Sequence, residues 1–334
     1  MAGTEPSKDV VIAVDAMGGD HAPQVVVEGC EQALAADSRL TVLLAGPDEV
    51  VTPFCERHER ARALIAPEVI AMGEHPAEAV RRKRSSSIVL GCKAVKGGEA
   101  EGFFSAGSTG ACLAAATLYT GRVKGVQRPA TATILPGYQS RTVLTDAGAN
   151  ADCKPEYLLQ FAQMGAAYAR IALGVEHPRV GLLNIGAEEA KGSEFAVQVH
   201  QLLAEKLPEF AGNAEGGDLL AGTFDVVVTD GFTGNVALKT AEGTAKAMGK
   251  LIKDIFYGSA KGKIAGALVH GQLSGLKSSM GSEAVGGSPL LGVRGAVFIG
   301  HGSSNATAIA SGIAQTAYAA QMDLAGEVAQ AIGS

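Results

Sequence analysis

Several glycine-rich turns in this chain carry more acids, hydroxyls and amides than a turn needs, and each follows or lies beside an apolar run. Asp15, Asp20 and His21 surround Gly18 and Gly19. Glycines suit a tight turn, but two carboxylates and an imidazole beside them mark residues that line a site, with no role defined. Ser105, Gly107, Ser108, Thr109 and Gly110 lead into a helix-compatible stretch over 111–119. Small residues let backbone N–H groups converge, hydroxyls add donors, and a helix N-terminus favours an anion, so this loop could cradle phosphate. The plain alternative is a capped helix start. The loop lacks both the G-x-x-x-x-G-K-[ST] and the G-x-G-x-x-G spacing, which removes sequence support for nucleoside triphosphates and dinucleotides.

Glu189 and Lys191 lie in the stretch 184–192, with the lysine at the beginning of an amphipathic helix. A cation there works against the helix dipole unless it serves an anionic ligand; pairing with Glu188 across one turn is the alternative. Asp230 lies in the stretch 229–235 that ends on Asn235, again between an apolar run and a helix. The Asn235 amide could donate to an oxyanion or simply cap the helix. His301, Ser303, Ser304 and Asn305 repeat the pattern near the C-terminus as another candidate anion cradle.

The elements that must position these residues follow from apolar periodicity. Short β-branched or aliphatic runs alternate with polar loops and helical patterns, the rhythm of an α/β protein with an open, mostly parallel sheet and helices on both faces. Strands are predicted at 10–15, 40–45, 131–135, 142–146, 180–185, 224–229 and 296–299. The helix after the fifth strand places Phe195, Val199, Leu202, Leu203 and Leu207 on one buried face. Another helix opens near Pro155 and ends before Gly174. Residues 91–102 and 211–222 read as loops. No repeat or long linker divides the chain, so 1–9 is expected to be a flexible N-terminus and 10–330 one domain, with a basic amphipathic helical region at about 250–278. In open parallel sheets ligands bind beyond the carboxyl ends of the strands, where the loops above fall.

Composition narrows the classes. Of the 334 residues, 47% are apolar and 19% charged, which allows a large core and excludes a disordered chain. With Lys and Arg at 28 against 34 for Asp and Glu, the net charge of -6 argues against nucleic-acid binding. Five cysteines without a C-x-x-C pair support neither a zinc site nor a disulfide framework, so no metal is expected and a reducing cytosol fits. Two basic stretches stand out locally: Arg81, Arg82, Lys83 and Arg84; and Lys253, Lys261, Lys263 and Lys277 interleaved with Leu251, Ile255, Ile264 and Leu268. Either could receive an acidic protein or an anionic membrane surface, and the second could equally be a dimer contact.

The run from Ile12 through Asp15, Gly18, Gly19, Asp20 and His21 to Pro23 resembles the opening signature of the bacterial phosphate acyltransferase family PlsX. Matching segments follow in order at 105–110, 146–156 with Asn150, around Lys191, at 230–239, 287–292 and 300–305, so the likeness spans about 10–320. The chain departs from the family pattern at Ser108, where Asn is expected, and at Ala147, where Val is common.

The resemblance implies transfer of a fatty acyl group from acyl carrier protein to inorganic phosphate, giving acyl phosphate for phospholipid synthesis. It implies a fold similar to phosphotransacetylases and to isocitrate and isopropylmalate dehydrogenases, a homodimer, and no metal or organic cofactor. By the same resemblance Lys191 and Asn235 correspond to the family's proposed active centre. Lys191 is then expected to hold phosphate or the developing oxyanion and Asn235 to donate to the thioester carbonyl, a division that could be reversed. Residues 105–110, Asn150, Glu189, Asp230 and 301–305 are expected around the substrate. An acidic carrier protein needs a local basic patch on this acidic chain, and peripheral membrane association with the downstream glycerol-phosphate acyltransferase is the further expectation. The rival readings are a short-chain phosphotransacylase using coenzyme A, a decarboxylating dehydrogenase, and a non-enzymatic scaffold for acyl carrier protein.

Overall fold

The computed structural model describes residues 8–259, 261–266, 268–269 and 286–333. Lys277 and residues 1–7 of the expected N-terminal segment lie outside the described residues. Eleven strands form one sheet: β1 (Val10–Asp15), β2 (Leu40–Gly46), β3 (Ala61–Ile65), β4 (Gly102–Ser105), β5 (Ala130–Pro136), β6 (Arg141–Thr145), β7 (Val180–Leu183), β8 (Phe210–Ala214), β9 (Val226–Val228), β10 (Ser288–Leu291) and β11 (Ala296–Ile299). Their order is β3-β2-β1-β4-β11-β10-β5-β6-β9-β7-β8.

Strands β3, β2, β1, β4 and β11 run parallel to one another, as do β6, β9, β7 and β8. The three pairings between these blocks, β11 with β10, β10 with β5 and β5 with β6, are all antiparallel. Three reversals leave the two parallel blocks running in opposite directions.

Both faces of the sheet are covered, as parallel strands require. Val10, Ile12 and Val14 of β1 enter one apolar core and Ala13 enters the other, the two-residue alternation of a strand. Phe103 and Phe104 of β4 likewise point to opposite faces and are fully buried, each contributing about 2–3 kcal/mol of apolar transfer. Helix Pro155–Leu173 starts on its proline and ends at Gly174, whose φ of 70° is the left-handed stop expected there. Helix Glu194–Lys206 buries Val199 and Leu203, with Leu207 just beyond it.

Four strands escaped the sequence reading, and two expected loops are structured. Residues 91–102 hold most of helix Ser87–Gly97, in which Gly91 is the space into which the Phe103 ring packs. Residues 211–222 contain the end of β8 and the short helix Asp218–Ala221. Tertiary pairing overrides the low strand preference of Gly212 and Asn213 in β8, which pairs with β7 at one edge of the sheet.

Candidate active site

The first parallel block gathers three of the candidate loops. Asp15 is buried at the end of β1, where its carboxylate accepts from the Ser105 hydroxyl (2.7 Å) and from Met17 N–H (3.0 Å). Burial pushes its carboxyl above the usual carboxylate range, opposed by hydrogen bonds from Ser87 and Ser105. Ser105 also accepts from Gly107 N–H (3.0 Å), and Gly300 N–H donates to the Ser105 carbonyl (2.9 Å). Asp20 N–H closes on the Gly302 carbonyl (2.7 Å). A side chain at Gly18 would meet Gly107 N at 2.7 Å and the Asp15 carboxylate at 2.8 Å, so the first and second loops touch only because that residue is glycine.

Within this cluster several polar groups serve the fold. Ser108 caps helix Thr109–Ala115 by accepting from Ala111 N–H, and Asn305 caps helix Ala306–Gln321 by accepting from Ala308 N–H. Asp20, His21, Thr109, His301 and Ser303 are exposed, with Gly110 and Ser304 half-buried.

The second block gathers the remaining candidates. Asp146, fully buried after β6, accepts from Thr131 N–H and hydroxyl and from the N–H groups of Gly148, Ala149 and Asn150. The Asn150 side-chain amide is engaged by the Asp146 carboxylate and the Pro129 carbonyl, both at 2.8 Å, and its backbone carbonyl accepts from Gly231 N–H (2.7 Å). Asn150 therefore holds two loops together, and its Nδ2 is not aimed at solvent.

Gly231 opens the 27-residue helix Gly231–Tyr257, about 40 Å long. Its cap is Asp230, which accepts from Thr233 N–H (2.8 Å) and hydroxyl (2.7 Å). That overturns the capping alternative for Asn235, which sits exposed in the second turn against the bare Cα of Gly148; a Cβ on Gly148 would lie 3.6 Å from it.

Lys191 also differs from expectation. Helix Glu194–Lys206 is capped by Ser193, so Lys191 precedes it in a loop and its charge does not oppose the dipole from within the first turn. The loop fixes its backbone instead. Lys191 N–H donates to the Glu188 carbonyl (3.0 Å), and Asn184 Nδ2 donates to the Lys191 carbonyl (3.0 Å). The Lys191 ammonium has no hydrogen-bond or ion-pair partner among the described residues, Glu188 included, and Glu189 is exposed beside it.

Because β7 pairs directly with β9 in parallel, the Lys191 loop and the start of the long helix leave the same edge of the sheet. A cleft of about 400 Å³ there is lined by Cys153, Phe195, Asp230, Phe232 and Thr233. The Cys153 thiol donates to the Asn150 carbonyl, and burial together with Asp146 pushes it up to about 11, far from a nucleophilic thiolate. The two blocks meet through the long helix, where Glu242 Oε1 stands 3.8 Å from His301 Nε2. Among the described residues no three His, Cys, Asp or Glu side chains are arranged to hold a metal ion.

Of the basic candidates, Lys83 is turned inward, donating to the Val69 carbonyl and to Glu74, each at 2.6 Å. Arg82 pairs with Glu74 (2.9 Å) and Glu78 (3.7 Å). Arg81 and Arg84 are exposed and make no ion pair among the described residues. Lys253, Lys261 and Lys263 are exposed at and beyond the end of the long helix. No helix among the described residues is long and apolar enough to cross a membrane.

A family model described as "Fatty acid synthesis protein" matches residues 10–326. A phosphate acyltransferase of Pelotomaculum thermopropionicum is 48% identical over 307 residues, covering 90% of this chain and 89% of that protein. One from Geobacillus thermodenitrificans is 44% identical over 318 residues, covering 95% and 97%. Among solved structures, a phosphotransacetylase from Streptococcus pyogenes superposes with a TM-score of 0.60 at 17% identity, covering 98% of this chain and 95% of that one. A branched-chain phosphotransacylase from Enterococcus faecalis gives 0.56 at 13%, covering 95% and 99%. These two share the fold. With a family model matching nearly its whole length and relatives close to half identical along it, the chain belongs to the phosphate acyltransferase family, enzymes that transfer an acyl group to phosphate in fatty acid and phospholipid synthesis.

Proposed function

We propose that the acyl donor is the thioester of acyl carrier protein and that Lys191 and Asn235 form the reacting centre. The observation that carries this reading is the parallel pairing of β7 and β9, from whose shared edge leave both the loop of Lys191, an ammonium without a partner among the described residues, and the helix that exposes the Asn235 amide. Lys191 holds inorganic phosphate, and Asn235 donates to the thioester carbonyl as it becomes an oxyanion. A phosphate oxygen attacks the carbonyl carbon, forming the C–O bond; the intermediate collapses, the C–S bond breaks, and the phosphate proton passes to the departing thiolate. Phosphate is already a competent nucleophile, so orientation and charge stabilisation suffice, with no covalent acyl enzyme. The high thiol pKa at Cys153 supports that route.

The loops at 15–21, 105–110 and 300–305 supply the far wall of the same site, a reading supported by the His301–Glu242 approach. One sheet carries both walls, which supports treating 10–330 as a single catalytic unit. Arg81 and Arg84, or Lys253, Lys261 and Lys263, are exposed charges that can receive an acidic carrier. The exposed Leu251, Ile255, Ile264 and Leu268 beside Lys253, Lys261 and Lys263 fit a homodimer contact or a peripheral membrane surface, from which the product reaches the glycerol-phosphate acyltransferase.

The donor is tested by comparing kcat/KM for one long acyl chain on acyl carrier protein and on coenzyme A. The carrier thioester is expected to be preferred by about tenfold or more at low salt, with the preference falling as ionic strength rises. Equal or greater turnover of the coenzyme A thioester would contradict it.

A further inference from the structure

We propose that Asn213, held by His200, is a positioning residue for Lys191, an inference that rests on reading Lys191 as the phosphate-binding group. Residues 187–194 are all exposed, so no apolar packing fixes the segment that carries the ammonium. Among the described residues its one buried anchor is polar. Asn213 Nδ2 donates to the Glu188 carbonyl (2.8 Å), the same oxygen that accepts from Lys191 N–H. The Asn213 oxygen faces His200 Nδ1 at 2.9 Å.

Both side chains are buried, at 6% and 7% exposure. A carbonyl only accepts, so the amide must present its nitrogen to Glu188 and its oxygen to the imidazole, and His200 Nδ1 must carry the proton. The His200 ring is itself held edge-on against Phe210, with centroids 5.0 Å apart at 81°. The chain of contacts thus runs from helix Glu194–Lys206 through β8 to the turn before Lys191. Apolar residues would fill this space at lower desolvation cost, since buried polar groups are costly unless fully paired. What the pair adds over an apolar filling is a directional hold on one carbonyl of the Lys191 loop.

The test measures KM for inorganic phosphate and for the long-chain acyl carrier protein thioester separately, with thermal unfolding alongside. Asn213→Asp keeps the shape but puts an acceptor against the Glu188 carbonyl. It is expected to raise phosphate KM by about tenfold or more while the thioester KM stays within about twofold. His200→Asn, whose Nδ2 stands on Cγ as the imidazole Nδ1 does and can donate to the Asn213 oxygen, is expected to keep the parent phosphate KM, and His200→Leu to raise it. If Asn213→Asp does not fold, the His200 pair decides. Folded Asn213→Asp and His200→Leu proteins with parent phosphate KM, or a loss shared equally by both substrates, would overturn the proposal. Lys191→Ala is measured in parallel: full activity there would overturn the reading of Lys191 and this proposal with it, whereas collapse there with unaffected Asn213 and His200 variants would overturn this proposal alone.

Discussion

At the scale of the residue, the second block leaves the Lys191 ammonium without a partner among the described residues and the Asn235 amide exposed, while hydrogen bonds tie down many of the groups around them. Lys191 and Asn235 stood out in the sequence as a lysine and an amide in polar loops after apolar runs, each with a plain alternative, an ion pair to Glu188 or a helix cap. Their local settings were not legible: the Lys191 position outside the helix depends on Ser193 taking the cap, and the Asn235 position inside one depends on Asp230 doing so. Ser105, Ser108, Asn150 and Asn305, expected around the substrate, also bond to their own loops, because a short polar side chain reaches a neighbouring backbone group as readily as a substrate. Asn213 and His200 carried no signal, since their role depends on a strand and a helix packing together. Cys153 gives a prediction at this scale. With its thiol pushed up to about 11, it stays protonated at pH 7.5, so Cys153→Ser is expected to retain most of the activity. Iodoacetamide is expected to label Cys153 slowly and faster only as the pH rises toward that value. Rapid labelling at neutral pH with loss of turnover would restore a covalent route.

At the scale of the element, the decisive contact is the seating of the long helix on the 146–150 loop. Gly231 N–H bonds the Asn150 carbonyl, and Gly234 lies so close to the Asp146 carbonyl that no Cβ fits between them. Gly234→Ala is expected to lower stability by about 2 kcal/mol or more through this backbone clash and to reduce activity in the protein that still folds, by displacing Asn235. Urea unfolding with an activity assay checks both; unchanged stability would show that the helix start is not held there. The sequence disclosed the long apolar strands and the proline- and glycine-bounded helix Pro155–Leu173. It hid β4 and β8, the first only four residues long and the second rich in small residues, because their strand character comes from the neighbours they pair with.

At the scale of the whole molecule, two oppositely running parallel blocks share one sheet, and the long helix bridges from the carboxyl edge of one to a loop of the other. The α/β class and open sheet follow from apolar periodicity, but the reversals through β10 and β5 have no local signature and set the two blocks running in opposite directions. The second block is proposed to supply the reacting groups, and acyl-phosphate formation from a long-chain acyl carrier protein thioester and phosphate tests that assignment. The parent is expected to form acyl phosphate, and folded Lys191→Ala and Asn235→Ala proteins are each expected to lose about a hundredfold or more in kcat/KM. Folded variants of both residues with parent activity would contradict the claim and move the chemistry to the loops of the first block.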